Sequence, residues 1–368
     1  MPADQSNYNC IMKILFICGR EIDYTRNQVL LRAFRRIAEV DTMVESGVVK
    51  SLFFRSTKIA LRSFPKYVSS VYDLIFVGFY GHLLMIPVGL CSRKPIIFDA
   101  FVSTYDTLTA DRLTFPPQSL RGRLAAYLDR FACHLADKIL LDTPGQERYF
   151  SETFSISPDK LSSIPVSCNE DIFYPRENPQ SDDSVTTVLS YSSYLPIHGM
   201  YTIIDAAKIL KNEPIKFRFI GNGPLFQSVV QSAKNSSLQK VIFLPPVSLN
   251  KLSDEIAASD ICLGGHFGTS EKAKRVIPGK IYQMLAMQKP VIAVDSPANK
   301  ELLQHGSSAY LCPADNPVAL ADAIRELYGN PHLCNRLAIE GRKVYEKYGS
   351  EAVVTAKLQK VIAEMNYT

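Results

Sequence analysis

The stretch KILFICGREIDYTRNQVLLRAFRRIAEV, residues 13–40, decides the fold. It opens with an apolar run that ends at Gly19 and continues into a segment where Val29, Phe34 and Ile37 share one helical face. A strand, a loop and a helix in that order predict one unit of a wound sheet. The unit recurs in DLIFVGF (73–79) with GHLLMIPVGLCSRK (81–94), in PIIFDAF (95–101) with RGRLAAYLDRFACHLAD (121–137), and in KILLDT (138–143). Strands that are apolar without alternation, each followed by a helix, predict a parallel sheet covered on both faces.

A polar stretch, RENPQSDDS (176–184), interrupts the pattern, which restarts at TTVLSYS (186–192) and runs through KFRFIGNG, VIFLPP, DICLGG and PVIAVD. In ADNPVALADAIRELYGN (314–330), Asn316 suits a cap, Pro317 the first helical position and Gly329 the stop; one last helix is expected over about 333–365. The expected fold class is α/β, with two Rossmann-like, doubly wound parallel-sheet domains facing a cleft. The expected divisions are 1–178, 179–350 and a C-terminal helix, 351–368, placed to pack back on the first domain.

Composition agrees with two domains. A chain of 368 residues, 46% of them hydrophobic, exceeds the size at which one core usually divides. A net charge of +5 is too mild for a nucleic-acid binder, though it suits anionic substrates or an anionic membrane surface. The 8 cysteines are scattered without a CxxC pair and read as reduced core thiols of a cytosolic protein. The polar first ten residues predict no signal peptide, and LIFVGFYGHLLMIPVGLC (74–91), broken by Gly78, Gly81, Pro87 and Gly89, predicts a strand and a helix, not a crossing. A cytoplasmic location follows. KSLFFRSTKIALRSFPK (50–66) alternates cations with apolar residues; it suits peripheral contact with an anionic membrane, or a basic helix packed on its own sheet.

Open α/β sheets bind ligands beyond the carboxyl ends of their strands, so the informative residues follow strands. Ser193, His198 and Gly199 come after TTVLSYS, where amide N–H groups at a helix start suit a phosphate. Gly221 and Gly223 make a tight turn after KFRFI. FGTSEKAKRVIPGK (267–280) follows another strand and places Lys272, Lys274, Arg275 and Lys280 against one acid, Glu271. It contains Gly268 and ends at a helix that no Ser, Thr, Asp or Asn precedes as a cap, and on that helix Lys280 and Gln283 share a face. Four cations are commonly solvated surface; beside free amides they suit an anion. Lys272, Arg275 and Lys280 are the expected diphosphate grip, and Lys274 is expected to face water.

The order LPIHG, FIGNGP, VIFLPPV, ASDICL, VIPGKIYQMLAMQKPVIAVD and ADNPVALADAI resembles the C-terminal domain of family-4 glycosyltransferases, retaining enzymes of GT-B fold, over residues 185–350. GREIDYTRN and DAFVSTYDTL are similar to a bacterial subgroup of that family. The resemblance implies a metal-independent retaining transferase that moves a hexosyl group from a nucleotide-diphosphate sugar to a glycan or lipid-linked acceptor in polysaccharide biosynthesis, with the donor as a substrate and no cofactor. It implies Gly19, Ser193, His198, Gly199, Gly221, Gly223, Gly268, Gln283 and Glu301 as donor contacts. Asp99 joins Lys272, Arg275 and Lys280 in the catalytic set, and Arg20, Asn27 and Asp106 are candidate acceptor contacts. The chain departs from the family pattern at Ser193 and His198, where many members have Arg and Lys, and at Arg275 and Gln283, where they have paired Glu. No DxD, metal-ligand spacing or GxSxG is present in the sequence. Two alternatives are a sugar-nucleotide epimerase using Asp99, Asp106 and His266 for proton transfer, and a non-catalytic binding subunit of the same fold.

Overall fold

The computed structural model describes residues 12–19, 21–44, 52–112, 114–176 and 185–365. The first domain winds as β1 (Lys13–Cys18), α1 (Thr25–Arg35), β2 (Glu39–Met43), α2 (Leu52–Tyr67), β3 (Leu74–Gly78) and α3 (His82–Cys91). It continues through β4 (Ile96–Phe101), α4 (Thr104–Asp106), α5 (Leu120–His134), β5 (Lys138–Leu141), α6 (Pro144–Phe154) and β6 (Leu161–Ser163). These strands form one parallel sheet in the order β2-β1-β3-β4-β5-β6. The period of two sorts each strand's side chains between the faces. Ile14 and Phe16 meet Val29 and Phe34 of α1, while Leu15 and Ile17 share the opposite core with Ile59 of α2, Val88 of α3 and Ala132 of α5.

The second domain winds as β7 (Thr186–Ser192), α7 (Met200–Ile209), β8 (Ile215–Gly221), α8 (Phe226–Asn235), β9 (Val241–Leu244), α9 (Leu249–Ala257) and β10 (Ile261–Gly265). Then come α10 (Glu271–Arg275), α11 (Gly279–Ala286), β11 (Val291–Val294), α12 (Pro297–Leu302), β12 (Tyr310–Cys312) and α13 (Pro317–Gly329). Its sheet is also parallel, in the order β12-β11-β10-β7-β8-β9. Asn316 caps α13, its side chain accepting the Ala319 N–H at 2.9 Å, and Pro317 stands in the first turn as expected.

Two expectations change. The single last helix is two: α14 (Pro331–Tyr348) packs on α11, and α15 (Glu351–Met365) packs on α1. The break falls where the chain must leave one domain for the other; at Gly349 even a Cβ would stand 2.7 Å from the Tyr282 ring. Glu351, buried at the start of α15, accepts from Arg32 of α1 at 2.7 Å and also pairs with Arg36, the residue just past the end of α1. Cys91 is exposed, unlike the buried thiols of Cys18, Cys133, Cys168, Cys262 and Cys312. Residues 177–184, which hold most of the expected linker and its boundary, lie outside the described residues. No helix among the described residues is long and apolar enough to cross a membrane.

Candidate functional site

Winding in the second sheet reverses between β7 and β10, so the loops after these two strands open the crevice that such sheets use for ligands. Glycines let the two loops touch backbone to backbone. Gly199 adopts φ 63°, and a Cβ there would stand 2.4 Å from the Phe267 carbonyl carbon; at Gly268 a Cβ would stand 2.7 Å from Pro196 O. The next turn nests against them: a Cβ at Gly221 would meet Ser192 O at 1.9 Å, and one at Gly223 would meet Ser193 O at 1.8 Å. His198 and His266 face each other across this junction, their ring centroids 5.3 Å apart.

The His198 Nδ1 accepts the Leu195 N–H at 3.2 Å, which leaves the ring proton on Nε2. The buried Nδ1 of His266 has no hydrogen-bond partner among the described residues. Burial, reinforced by Lys280 and Lys272, holds His198 down at about 3. Burial and then His198 push His266 well below the ordinary histidine value, so both rings are neutral near pH 7. Beside them Lys280 donates to Tyr191 O at 2.5 Å, and burial brings its ammonium down to about 8. The Tyr191 hydroxyl in turn donates to Gln283 Oε1 at 2.7 Å, so one aromatic residue at the end of β7 fixes both polar side chains of α11. The helix follows Pro278 with no side chain capping it, as the sequence predicts.

The charge cluster itself is a short helical turn. Ser270 caps α10 by accepting the Ala273 N–H at 3.3 Å, a cap the sequence reading did not pick out. The turn puts Lys272 and Arg275, three residues apart, on one side and sends Lys274 outward to an exposed pair with Glu271 at 2.5 Å. The inward cations cross to the first domain. Lys272 Nζ lies 3.3 Å from Asp111 Oδ2 and donates to Thr107 Oγ1 at 3.1 Å, while Arg275 lies 2.9 Å from Asp106 Oδ2 and over the Tyr149 ring at 4.1 Å. Arg275 and Asp106 therefore occupy each other, which removes Asp106 as an open acceptor contact and leaves Lys280 as the cation of the cluster that no carboxylate pairs with among the described residues.

The first domain brings fewer of its expected residues to the cleft. Asp99 is fully buried, and both of its oxygens take bonds from Arg26, at 2.8 Å from Nη2 and 3.1 Å from Nε, so the fold itself occupies its carboxylate. Asn27 is also fully buried; it accepts the Phe79 N–H at 3.3 Å and donates to Glu21 O at 3.1 Å, joining the loops after β1 and β3. Gly19 does take part in a close approach, since a Cβ there would stand 2.4 Å from Tyr80 O. Arg20 lies outside the described residues. Glu301 sits at the domain junction 3.6 Å from Arg148, its carboxyl raised by burial.

Two features escaped the sequence. Asp142, just past β5, is buried with Oδ1 unpartnered among the described residues, and burial raises it to about 7. An apolar cavity of about 270 Å³ opens at the carboxyl ends of β3 and β4, lined by Phe79, Leu83, Val102, Leu108 and Leu128 with Thr107 at its edge. Thr107 is the residue that Lys272 reaches, so the cavity lies on the first-domain side of the same cleft.

Two facing doubly wound domains of this kind make the GT-B fold. Sucrose-phosphate synthase from Thermosynechococcus elongatus superposes with a TM-score of 0.77 at 13% identity, over 97% of this chain and 99% of that one. The Anabaena protein HepE in complex with UDP-glucose gives 0.72 at 16% identity, over 97% and 100%. Residues 185–330, the body of the second domain, match the family model for glycosyl transferases group 1. A probable glycosyltransferase of Pseudomonas aeruginosa, WbjE, is 29% identical over 224 residues, 57% of this chain and 54% of its own length. The chain spans about half the length of the first curated relatives it matches.

Proposed function

We propose that the protein is a glycosyltransferase that takes a hexosyl group from a nucleotide-diphosphate sugar and passes it to a glycan or lipid-linked acceptor, with retention and without a metal. One observation carries this reading: a half-buried lysine, Lys280, two neutral histidines and an uncapped helix start converge at the switch point of the second sheet. A leaving diphosphate develops negative charge there, and an ammonium with oriented N–H donors in a water-poor crevice stabilises that charge. His198 Nε2–H is a neutral donor in the free protein; an adjacent phosphate favours its protonated form. Gln283, held by Tyr191, is placed to bond ribose hydroxyls. The acceptor enters from the first domain, where the cavity beside Thr107 suits an apolar group. The sugar–phosphate bond breaks as the acceptor oxygen bonds the same face of the sugar, and the acceptor proton leaves with the diphosphate. Peripheral contact with an anionic membrane on the cytoplasmic side fits an acceptor of that kind.

The epimerase alternative loses two of its three proton-transfer candidates, since Asp99 and Asp106 are each held by an arginine. A panel of nucleotide-sugars assayed by thermal shift tests the main reading. A donor at 100 times its dissociation constant stabilises the fold by roughly 2.7 kcal/mol. Stabilisation by at least one nucleotide-diphosphate sugar, lost in Lys280→Ala, is the expected result; no response to any member of the panel would sink the assignment. Donor binding without release of nucleotide in the presence of any acceptor would favour the non-catalytic subunit.

A further inference from the structure

The apolar cavity at the ends of β3 and β4 carries in its wall a histidine that the fold holds in place and leaves unbonded. His82, the first residue of α3, lines the cavity and is only 5% exposed. Its ring meets Phe98 of β4 edge to face, the centroids 5.0 Å apart, and its buried Nε2 lies 3.4 Å from Asp129 Oδ1 on α5. No hydrogen bond reaches either ring nitrogen among the described residues.

Asp129 decides which nitrogen carries the proton. Its carboxylate accepts from Ser103 Oγ at 2.6 Å and from the amides of Tyr105 and Thr104 at 2.9 and 3.1 Å, so it offers the imidazole an acceptor and nothing else. The ring proton therefore belongs on Nε2, and burial, which outweighs Asp129, keeps the ring neutral near pH 7. Nδ1 is left with a lone pair. Ser103 and Thr104 also line the cavity, but Asp129 takes up the Ser103 hydroxyl and the Thr104 amide, and the Thr107 oxygen accepts from Lys272. An unfilled acceptor in an apolar wall costs free energy unless what enters supplies a donor, and a bare hydrocarbon supplies none.

We propose that His82 selects what the cavity holds: a compact apolar group carrying a hydroxyl, which donates to Nδ1 while the apolar body packs on Phe79, Leu83 and Leu128. A cavity of about 270 Å³ takes a group of about nine heavy atoms at roughly 30 Å³ each, the size of a ring or a short branched chain. Asp129 acts through the imidazole as a positioning residue, holding the tautomer that leaves Nδ1 open. That the group belongs to the acceptor rests on the transferase reading; that the cavity binds it does not.

The probes are phenol and toluene, alike in shape and different in one donor, titrated into the full chain and followed by NMR of the Leu83 and Leu128 methyls and of isotope-labelled histidine nitrogens. Toluene carries the apolar contribution, so the ratio of the two affinities reads the hydroxyl. His82→Phe keeps a ring against Phe98 and removes the acceptor; it is expected to lower the phenol-to-toluene ratio about threefold to tenfold, the range for one hydrogen bond, with toluene binding retained. His82→Asn, whose Oδ1 stands close to where Nδ1 stood, is expected to restore part of that ratio. In the wild type, bound phenol is expected to move the His82 Nδ1 signal and bound toluene to leave it in place, a reading that stands even if a variant fails to fold. The proposal is overturned if neither probe binds in the cavity, if bound phenol leaves Nδ1 unmoved, or if His82→Phe keeps the wild-type ratio. A protein that binds phenol in this way and responds to no nucleotide-sugar would keep this inference and sink the transferase reading; one that binds nucleotide-sugars and neither probe would do the reverse.

Discussion

Each sheet has a cation beside a strand terminus, Arg26 fully buried and Lys280 half-buried, and the two cations do opposite things. Arg26, at the carboxyl end of the first sheet, donates to Asp99 and to the carbonyls of Ile164, Pro165 and Leu141, so its bonding capacity is filled by the fold. Lys280, at the end of the second, donates to the Tyr191 carbonyl, and no carboxylate pairs with it among the described residues. A buried charge with a complete set of partners is structure; one with capacity to spare and no carboxylate beside it among the described residues is the one an anion can still reach.

Removing Asp99 strikes the first region hardest. Asp99→Ala leaves a fully buried guanidinium without its carboxylate and is expected to destabilise the protein by about 3–5 kcal/mol. A urea melt reads this as a lower midpoint, and donor affinity in the surviving folded fraction should stay within about twofold, inside the usual scatter for distant sites. If affinity falls and stability does not, Asp99 belongs to the site and the contrast collapses. The complementary change, Lys280→Ala, should leave the melt nearly unchanged and cost donor affinity about 2–3 kcal/mol, roughly 30- to 150-fold, the range for a lost charge-assisted hydrogen bond. Calorimetry with UDP as the ligand measures it.

The pH dependence of that affinity sharpens the difference. In the free protein Lys280 gives up its proton near 8, well below the ordinary lysine value, because burial disfavours the cation. A bound diphosphate favours the cation and keeps the proton on to higher pH. Affinity for UDP should therefore be flat with respect to this group below about 8 and fall above it, by at most tenfold per pH unit. Folding stability should move the other way: with the folded-state value of Lys280 below its unfolded one, stability rises from about pH 8 towards the ordinary lysine value while affinity falls. A flat affinity profile up to pH 10 would detach Lys280 from the phosphates.

How much of this contrast the sequence carries follows from what each signal depends on. Apolar runs and helix periods are local, so both sheets, their parallel sense, and the placement of His198, Gly199 and Lys280 after strands were legible. The uncapped start of α11 was legible too, because a cap is a matter of one residue type at one position. Partnership was not. Asp99 and Lys280 look alike in a sequence, each a single charge among apolar neighbours, and only folding shows that Arg26, 73 residues away, has taken Asp99 while α11 brings no acid to Lys280. The same reason hid the pairing of Arg275 with Asp106 and the short helix that Ser270 caps, since a turn of five residues has too little period to stand out from a loop.

The mildest change bears on that missing acid. Gln283 follows Lys280 by three residues on α11, and both side chains are tied to Tyr191, through its hydroxyl and its carbonyl. Gln283→Glu keeps the length and the acceptor while adding a charge, so it supplies the carboxylate that the site lacks. The new charge favours the lysine cation, moving its titration upward from about 8, and the pH at which UDP affinity begins to fall should move up with it, by about one unit or less for a partly solvated pair. Affinity at pH 7 pulls both ways: a carboxylate bonds ribose hydroxyls more strongly than an amide, yet it repels a diphosphate that shares Lys280. The expected outcome is a change of less than about fivefold at pH 7 together with the upward shift of the break. An unmoved break with altered affinity would mean that Gln283 and Lys280 do not sense each other, and the second region would then be two separate contacts instead of one unfilled site.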